Sequence, residues 1–416
     1  MKLVIIGGGS SYTPELIDGL IRHSPALPVR EVCLMDIDEK RLEILSGMCR
    51  RMIARHGLDV KVTSTTDQRR ALEGADFVNC LIRVGGMEAR INDERIPLSF
   101  GLVGQETTGP GGMMKALRTI PPMLRLARDI EAVCPDAWLI NYTNPSGIVS
   151  EALGNHSRAQ YVSLCSGPNH WIGEILRLIH VEPARANVDW IGLNHLGFAT
   201  RVNVDGADVT QAAIAAVSEH WPVDAEWIQT LGAIPASYLR YFYHPGLVVQ
   251  AARQPGQETR GQQVKRIEAE LLRLYADPAL DEKPELLDQR GGGGYSDTAF
   301  AAMLAIHENR GERQIVQALN RGAVDGLPDG ASVEIACVVD RLGPRPIRFG
   351  ALPLAIRGLV QSVKAYESLT VAAAVNGSRQ MAMQALMAHP LVPSWEVAKP
   401  LMEKLLEANR PWLPWA

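Results

Sequence analysis

The chain has 416 residues, with 42 Lys and Arg against 46 Asp and Glu, a formal net charge of −4 and 46% hydrophobic residues. That near-neutral balance gives no electrostatic reason to expect a nucleic-acid partner, and no run approaches the ~18 apolar residues that a membrane-spanning helix needs. At roughly 150 residues per domain the length suggests two or three domains with ample core.

The opening stretch Met1–Ser10 carries an apolar run that breaks at Gly7 after a single Lys, without a small-residue cleavage region, so no secretory leader is expected. Up to about Cys165, short apolar strands alternate with amphipathic helices, the pattern of a parallel sheet with crossover helices. Strands are predicted at Leu3–Ile6, Val32–Met35, Val60–Ser64, Asp76–Ile82, Trp138–Asn141 and Tyr161–Leu164, and helices at Pro14–Arg22, Lys40–His56 and Leu117–Val133. This order predicts an α/β fold whose residues 1–165 form a Rossmann-like, doubly wound parallel sheet. From about Val188 the texture changes. Asp189–His195 followed by Phe198–Val204 reads as a hairpin, Gln211–His220, Gln262–Tyr275 and much of Ala355–Ala408 as helices, and Ser332–Val339 as a buried strand. Pro278–Gly294 and Gly322–Gly330 read as loops. Residues 166–416 are expected to form a second, α+β domain, closely packed on the first and carrying substrate, metal and subunit contacts.

Six cysteines are widely spread with no CxxC pair, which argues against a disulfide framework or zinc ribbon and for a reducing cytoplasm. The 37 glycines cluster at Gly7–Gly9, Gly109–Gly112 and Gly291–Gly294, marking sharp turns or close approaches. The first cluster follows a predicted strand and opens a helix, with Asp36 at the end of the next strand. Gly7 permits the tight turn, Gly9 lets backbone amides approach a pyrophosphate, and the helix opening after Ser10 favours negative charge. Asp36 would accept the adenosine ribose hydroxyls and repel a 2′-phosphate, so NAD is favoured over NADP. Tyr12 stands where a third fingerprint glycine is usual, and a strand–turn–helix without ligand is the plainer alternative.

Ile82–Arg90 and Gly104–Gly112 follow a strand at the carboxyl edge of the predicted sheet, where open α/β folds bind ligands. Arg83 and Arg90 there suit carboxylate or phosphate groups; either alone could be a solvated surface residue. Asn144, in Asn141–Ser146, could bond sugar hydroxyls or serve as a turn and cap signal. Arg260 and Arg290 could bind phosphate or be solvated. Cys165 and His195, presented from separate turns, could share a divalent metal with positions left open for substrate oxygens, against the alternative of a buried thiol and a structural histidine. In Pro235–Tyr243, Tyr238 and Tyr241 are candidate bases, since a tyrosine near a cation loses its proton more easily; aromatic packing is the competing reading.

Taken together, GGGSSYTP at Gly7–Pro14, the Arg83–Arg90 run, GQETTGPGG at Gly104–Gly112, NYTNPSG at Asn141–Gly147, the Cys165 turn, GLNH at Gly192–His195, YLRYFY at Tyr238–Tyr243 and RGGGGYSD at Arg290–Asp297 resemble the family 4 glycoside hydrolases, in particular the 6-phospho-β-glucosidase branch. The resemblance implies an architecture similar to lactate and malate dehydrogenases, a requirement for NAD and a divalent metal, commonly manganese, and an exception to the two-carboxylate glycosidase rule. It implies that NAD⁺ removes hydride from C3 of a phosphorylated β-glucoside, that a metal on Cys165 and His195 polarises the ketone, and that Tyr238, or else Tyr241, removes the C2 proton before the aglycone leaves and water adds. It further implies Asn144 and Arg90 as substrate contacts, Arg260 as a phosphate contact, and a homodimer or homotetramer. Ser166 departs from the Asn or Asp common after the cysteine, and Gly293-Gly294 stands where bulkier residues are common. A hydroxy-acid or sugar dehydrogenase on the same fold and a non-catalytic NAD-binding regulator are the alternatives.

Overall fold

The computed structural model describes residues 1–221, 224–291 and 293–415; Gly292 of the third glycine cluster lies outside them. Six parallel strands, β1 (Lys2–Ile6), β2 (Glu31–Met35), β3 (Lys61–Thr65), β4 (Phe77–Cys80), β5 (Trp138–Asn141) and β6 (Gln160–Ser163), lie in the order β6-β5-β4-β1-β2-β3. The first four strands alternate with helices α1 (Thr13–His23), α2 (Glu39–Arg55) and α3 (Gln68–Leu72); α4 (Gly86–Ser99) and α5 (Gly109–Val133) then bridge β4 to β5, and α6 (Ser146–His156) bridges β5 to β6. That order is the doubly wound one, with its switch point between β1 and β4. Apolar residues on both faces, such as Leu3, Ile5, Leu34, Val78 and Ile140, are buried as a helix-covered parallel sheet requires.

The sheet does not stop at β6. Through the pair Gln317↔Ser163 it continues antiparallel into Glu312–Leu319, then Ser332–Asp340, β7 (Ala186–Leu193), β8 (Leu196–Val204) and Ile234–Pro235, so both halves of the chain share one 13-stranded sheet. Helices of the second half fold back on the first. Tyr295–His307 packs on α1, Arg260–Tyr275 on α4 and α2, and Leu354–Asn376 on α5. The Tyr295–His307 contact is close enough that a Cβ on Gly19 would come within 2.5 Å of Ser296 Cβ.

Several segments depart from the sequence reading. The glycine-rich stretch after Gln105 is not a free loop: α5 begins at Gly109 and runs 25 residues, because glycines let it abut α4. A Cβ on Gly111 would lie 2.3 Å from Asp93 O. Helix α4 itself was not expected, since its buried residues include Arg90, Asp93 and Glu94 and an apolar stripe is what reveals a helix in sequence. The segment read as a loop at Pro278–Gly294 contains a short helix, Leu286–Gln289. All six cysteines are free and buried, and among the described residues no helix is long and apolar enough to cross a membrane.

Candidate active site

At the switch point the turn after β1 lies against the end of β4. A Cβ on Gly7, whose φ is +85°, would sit 3.1 Å from the Leu81 carbonyl carbon, and the Gly7 and Gly8 amides donate to Met35 O at 2.9 and 2.8 Å. The Gly9 N–H donates to Asp36 Oδ2 at 2.9 Å, and a Cβ on Gly9 would meet that same oxygen at 2.9 Å. Gly9 thus makes room for Asp36, whose carboxylate takes the amide. Ser10 Oγ accepts the Tyr12 N–H at 3.2 Å, within its own turn. Arg41 Nε donates to Gly9 O at 2.7 Å and its guanidinium pairs with Glu268 at 3.1 Å. Arg290 lies over the Tyr12 ring at 5.0 Å, and its Nε is buried without a partner among the described residues. A glycine turn at the switch point, a carboxylate at the end of β2 and an unsatisfied guanidinium N–H beside them fit a dinucleotide's ribose and phosphates.

Beyond β4, Glu106 gathers three cations. Arg83 binds it closely, Lys115 Nζ stands 2.7 Å and Arg90 Nη1 3.1 Å away. Against the cost of burial, Arg83, Lys115 and Arg90 hold the Glu106 carboxyl well below the usual range. Arg90 also donates to Glu94 Oε1 at 2.9 Å, and Glu94 Oε2 accepts the Gly261 N–H at 2.7 Å, pinning the start of the Arg260–Tyr275 helix. That helix start is formed by a reciprocal Thr259–Gln262 capping box. Arg260 and Arg90 are thereby neighbours, with a Cβ on Gly261 only 3.3 Å from Arg90 Cγ. Arg90 is buried, whereas Arg260 is exposed and donates to Gln289 O at 2.7 Å. Two guanidinium groups at one helix start suit a phosphate.

Cys165 follows β6 at the entrance to α7 (Gly167–Leu178), and His195 occupies the two-residue turn between β7 and β8 with φ +63°. This left-handed conformation is uncommon outside glycine and costs of order 1 kcal/mol. His195 Nδ1 lies 2.7 Å from Thr107 Oγ1, and Thr107 Oγ1 donates to Gln105 Oε1 at 2.9 Å. With its one proton given to Gln105, the Thr107 oxygen accepts from Nδ1–H, leaving the Nε2 lone pair free. Burial, reinforced by Lys115, pushes His195 down to about 4, so the ring is neutral at pH 7. Burial, with Glu334 adding to it, raises the Cys165 thiol to about 12, opposed by the Gly167 N–H and the Asn194 side chain.

The Tyr238 ring stacks on His195 with centroids 4.2 Å apart and meets Trp171 edge-on at 5.7 Å. Trp171 in turn covers Gly167 beside Cys165. Tyr241 stands outside this group, 5.8 Å from Tyr238 and under Arg240. Asn144 Oδ1 caps the Ser146 N–H at 3.3 Å. A neutral imidazole, and a thiolate formed as an incoming ion displaces the Cys165 proton to solvent, are donors that a divalent ion accepts. Among the described residues no group of three or more His, Cys, Asp and Glu converges, so these two would hold an ion with positions left for other oxygens.

Sequence reading did not single out Thr107, Glu106, Lys115, Asn194 or Glu334. Glu334 had a visible signal, an acid inside the otherwise apolar strand Ser332–Val339.

The fold and this constellation define an α/β enzyme built on a dinucleotide-binding sheet. The family 4 glycosyl hydrolase model matches residues 2–180, and the model of that family's C-terminal domain matches residues 190–392. A probable 6-phospho-β-glucosidase of Bacillus subtilis (strain 168) is 42% identical over 430 residues, spanning 100% of this chain and 97% of that protein. The 6-phospho-β-glucosidase of Thermotoga maritima, solved with manganese, NAD⁺ and glucose 6-phosphate, superposes with a TM-score of 0.92 at 34% identity, covering 99% of each chain. A malate dehydrogenase of Plasmodium falciparum, 12% identical with a TM-score of 0.55 over 93% of this chain and 99% of that one, shares the fold alone. The chain belongs to glycosyl hydrolase family 4 and is a glycoside hydrolase.

Proposed function

We propose that this chain hydrolyses a 6-phospho-β-glucoside by oxidation, elimination and addition, using NAD⁺ bound at Gly7–Ser10 and Asp36 and a divalent ion, manganese by preference, held by Cys165 and His195. When bound, NAD⁺ supplies a hydride acceptor for C3 and the ion a Lewis acid for the oxygen there, so that the C2 proton becomes acidic. Tyr238 takes that proton at its phenolic oxygen. Burial raises the Tyr238 phenol above its ordinary value, so it can take the C2 proton only after positive charge placed beside it has lowered that value and the phenol has lost its own proton. Arg90 and Arg260 bind the 6-phosphate, and Asn144 orients the sugar. Residues 1–165 serve the nucleotide, and residues 166–416 the metal, substrate and subunit contacts. Six free, buried thiols support a cytoplasmic setting, and a homodimer or homotetramer belongs to the same reading.

The observation that carries the proposal is the stack of Tyr238 on His195 at 4.2 Å. With Tyr238 as base and His195 as donor, it supports removal of a proton next to a polarised carbonyl; a plain dehydrogenase has no use for that pairing. The test is a screen of chromogenic α- and β-glycosides, with and without 6-phosphate, in NAD⁺ and Mn²⁺. The 6-phospho-β-glucoside should release its chromophore with no NADH build-up. One NADH per substrate consumed would instead identify a dehydrogenase, and NAD⁺ binding without turnover a regulator.

A further inference from the structure

Buried carboxylates in this molecule come with cations. Asp93 pairs with Arg118, Glu94 with Arg90, and Glu151 and Glu367 with Lys364. Glu334 does not. It is 0% exposed, and no Lys, Arg or His pairs with it among the described residues. Its Oε1 accepts from Gln317 Nε2 at 2.6 Å and from Asn194 Nδ2 at 3.2 Å, and its Oε2 accepts from Trp190 Nε1 at 3.1 Å. Gln317 Oε1 accepts the Ser146 hydroxyl at 2.7 Å, which turns the amide N–H side of Gln317 toward the acid. In this arrangement every contact offers a proton to the carboxyl oxygens, which favours the ionised form against the burial that pushes the Glu334 carboxyl up. A buried, ionised group without a counter-charge is costly.

The missing charge has a place. Asn194, which donates to Glu334, directly precedes His195 in the β7–β8 turn, and Ser146, which bonds the Gln317 that donates to Glu334, also reaches the carbonyl of Leu164, the residue before Cys165, at 3.3 Å. We infer that Glu334 is the positioning and charge-balancing carboxylate of the metal centre, holding Asn194 so that Cys165 and His195 face one divalent ion whose charge offsets its own. The role is that of an outer carboxylate that orients donors without touching the ion. This rests on the reading of Cys165 and His195 as donors.

The test titrates the full-length protein with Mn²⁺, following free Mn²⁺ by electron paramagnetic resonance, for wild type, Glu334→Gln and Cys165→Ser, with NAD⁺ affinity measured in parallel. Glu334→Gln should weaken Mn²⁺ binding by about 10- to 100-fold and leave NAD⁺ affinity unchanged, whereas a general packing role would weaken both. Glu334→Asp, which keeps the charge, should recover part of the loss. If Glu334→Gln binds Mn²⁺ as tightly as wild type while Cys165→Ser does not, the role of Glu334 is overturned and the donor assignment stands. If Cys165→Ser keeps wild-type affinity, the donor assignment falls, and this inference with it. Should Glu334→Gln fail to fold, Asn194→Ala severs the same link, and undiminished Mn²⁺ affinity there would equally overturn the inference.

Discussion

Thr107 Oγ1 stands 2.7 Å from His195 Nδ1, and this one contact decides which imidazole nitrogen is available to a ligand. Thr107 is itself fixed by Gln105, whose Oε1 accepts both its N–H at 2.7 Å and its hydroxyl at 2.9 Å. Thr107→Val keeps the shape and removes the acceptor, so the ring loses its preferred tautomer. Mn²⁺ affinity should fall by about 10-fold or more, and Thr107→Ser should restore it. A calorimetric Mn²⁺ titration of the three proteins checks this.

Tyr238 and Tyr241 separate cleanly. Tyr238 stacks on His195, whereas Tyr241 is a further 5.8 Å out. Tyr238→Phe should lower kcat by roughly 10²- to 10⁴-fold, the range for loss of a general base, with KM changed only a few-fold. Tyr241→Phe should keep kcat within about 10-fold. Steady-state kinetics on the 6-phospho-β-glucoside measure both, and a reversed order would reassign the base.

Glu106 ties acid stability to the Arg83 and Arg90 side of the site. Arg83, Lys115 and Arg90 hold its carboxyl in the folded state below the usual 4.5, so the unfolded chain takes up the proton first as pH falls. The stabilisation is therefore complete above about pH 4.5 and is lost as pH drops through the folded value. Glu106→Gln leaves Arg83, Arg90 and Lys115 without their shared anion and should cost about 3 kcal/mol at pH 7. Denaturant unfolding of both proteins should show that difference shrinking below pH 4.5; a constant gap down to pH 3 would contradict the assignment.

At Gly9 the space is already used. A Cβ would come within 2.9 Å of Asp36 Oδ2 and 3.0 Å of Arg41 Cβ, so Gly9→Ala must displace the carboxylate that shapes the nucleotide turn. Overpacking of this kind costs about 1–3 kcal/mol. NAD⁺ affinity, followed by tryptophan fluorescence, should fall roughly 10-fold or more, while Mn²⁺ affinity should not change.

The parallel half of the sheet was legible because its strands are apolar on both faces and its turns are spelled out in glycine, as at Gly7–Gly9. Helix α4 was not, because Arg90, Asp93 and Glu94 face inward and erase the apolar stripe that marks a helix. The strand Glu312–Leu319 was missed for a related reason: it opens on Glu312, Arg313 and Gln314, and its buried Gln317 serves a polar network. Cys165, His195 and Tyr238 could be named from local motifs, but their juxtaposition could not be read from spacing, since it arises where the sheet turns antiparallel after β6 and, across Glu312–Leu319 and Ser332–Asp340, brings β7 and β8 into the same sheet. Thr107, Asn194 and Glu334 reach partners 88, 140 and 144 residues away, which no local pattern records.

The central claim is that a tyrosine beside the metal donors removes the C2 proton during a hydrolysis with no net oxidation. The direct measurement is turnover of a 6-phospho-β-glucoside in D₂O with NAD⁺ and Mn²⁺, followed by NMR of the glucose 6-phosphate released. The account predicts deuterium at C2, no NADH beyond the enzyme-bound amount, and loss of both exchange and product in Tyr238→Phe. Product carrying only hydrogen at C2 at full turnover would contradict it.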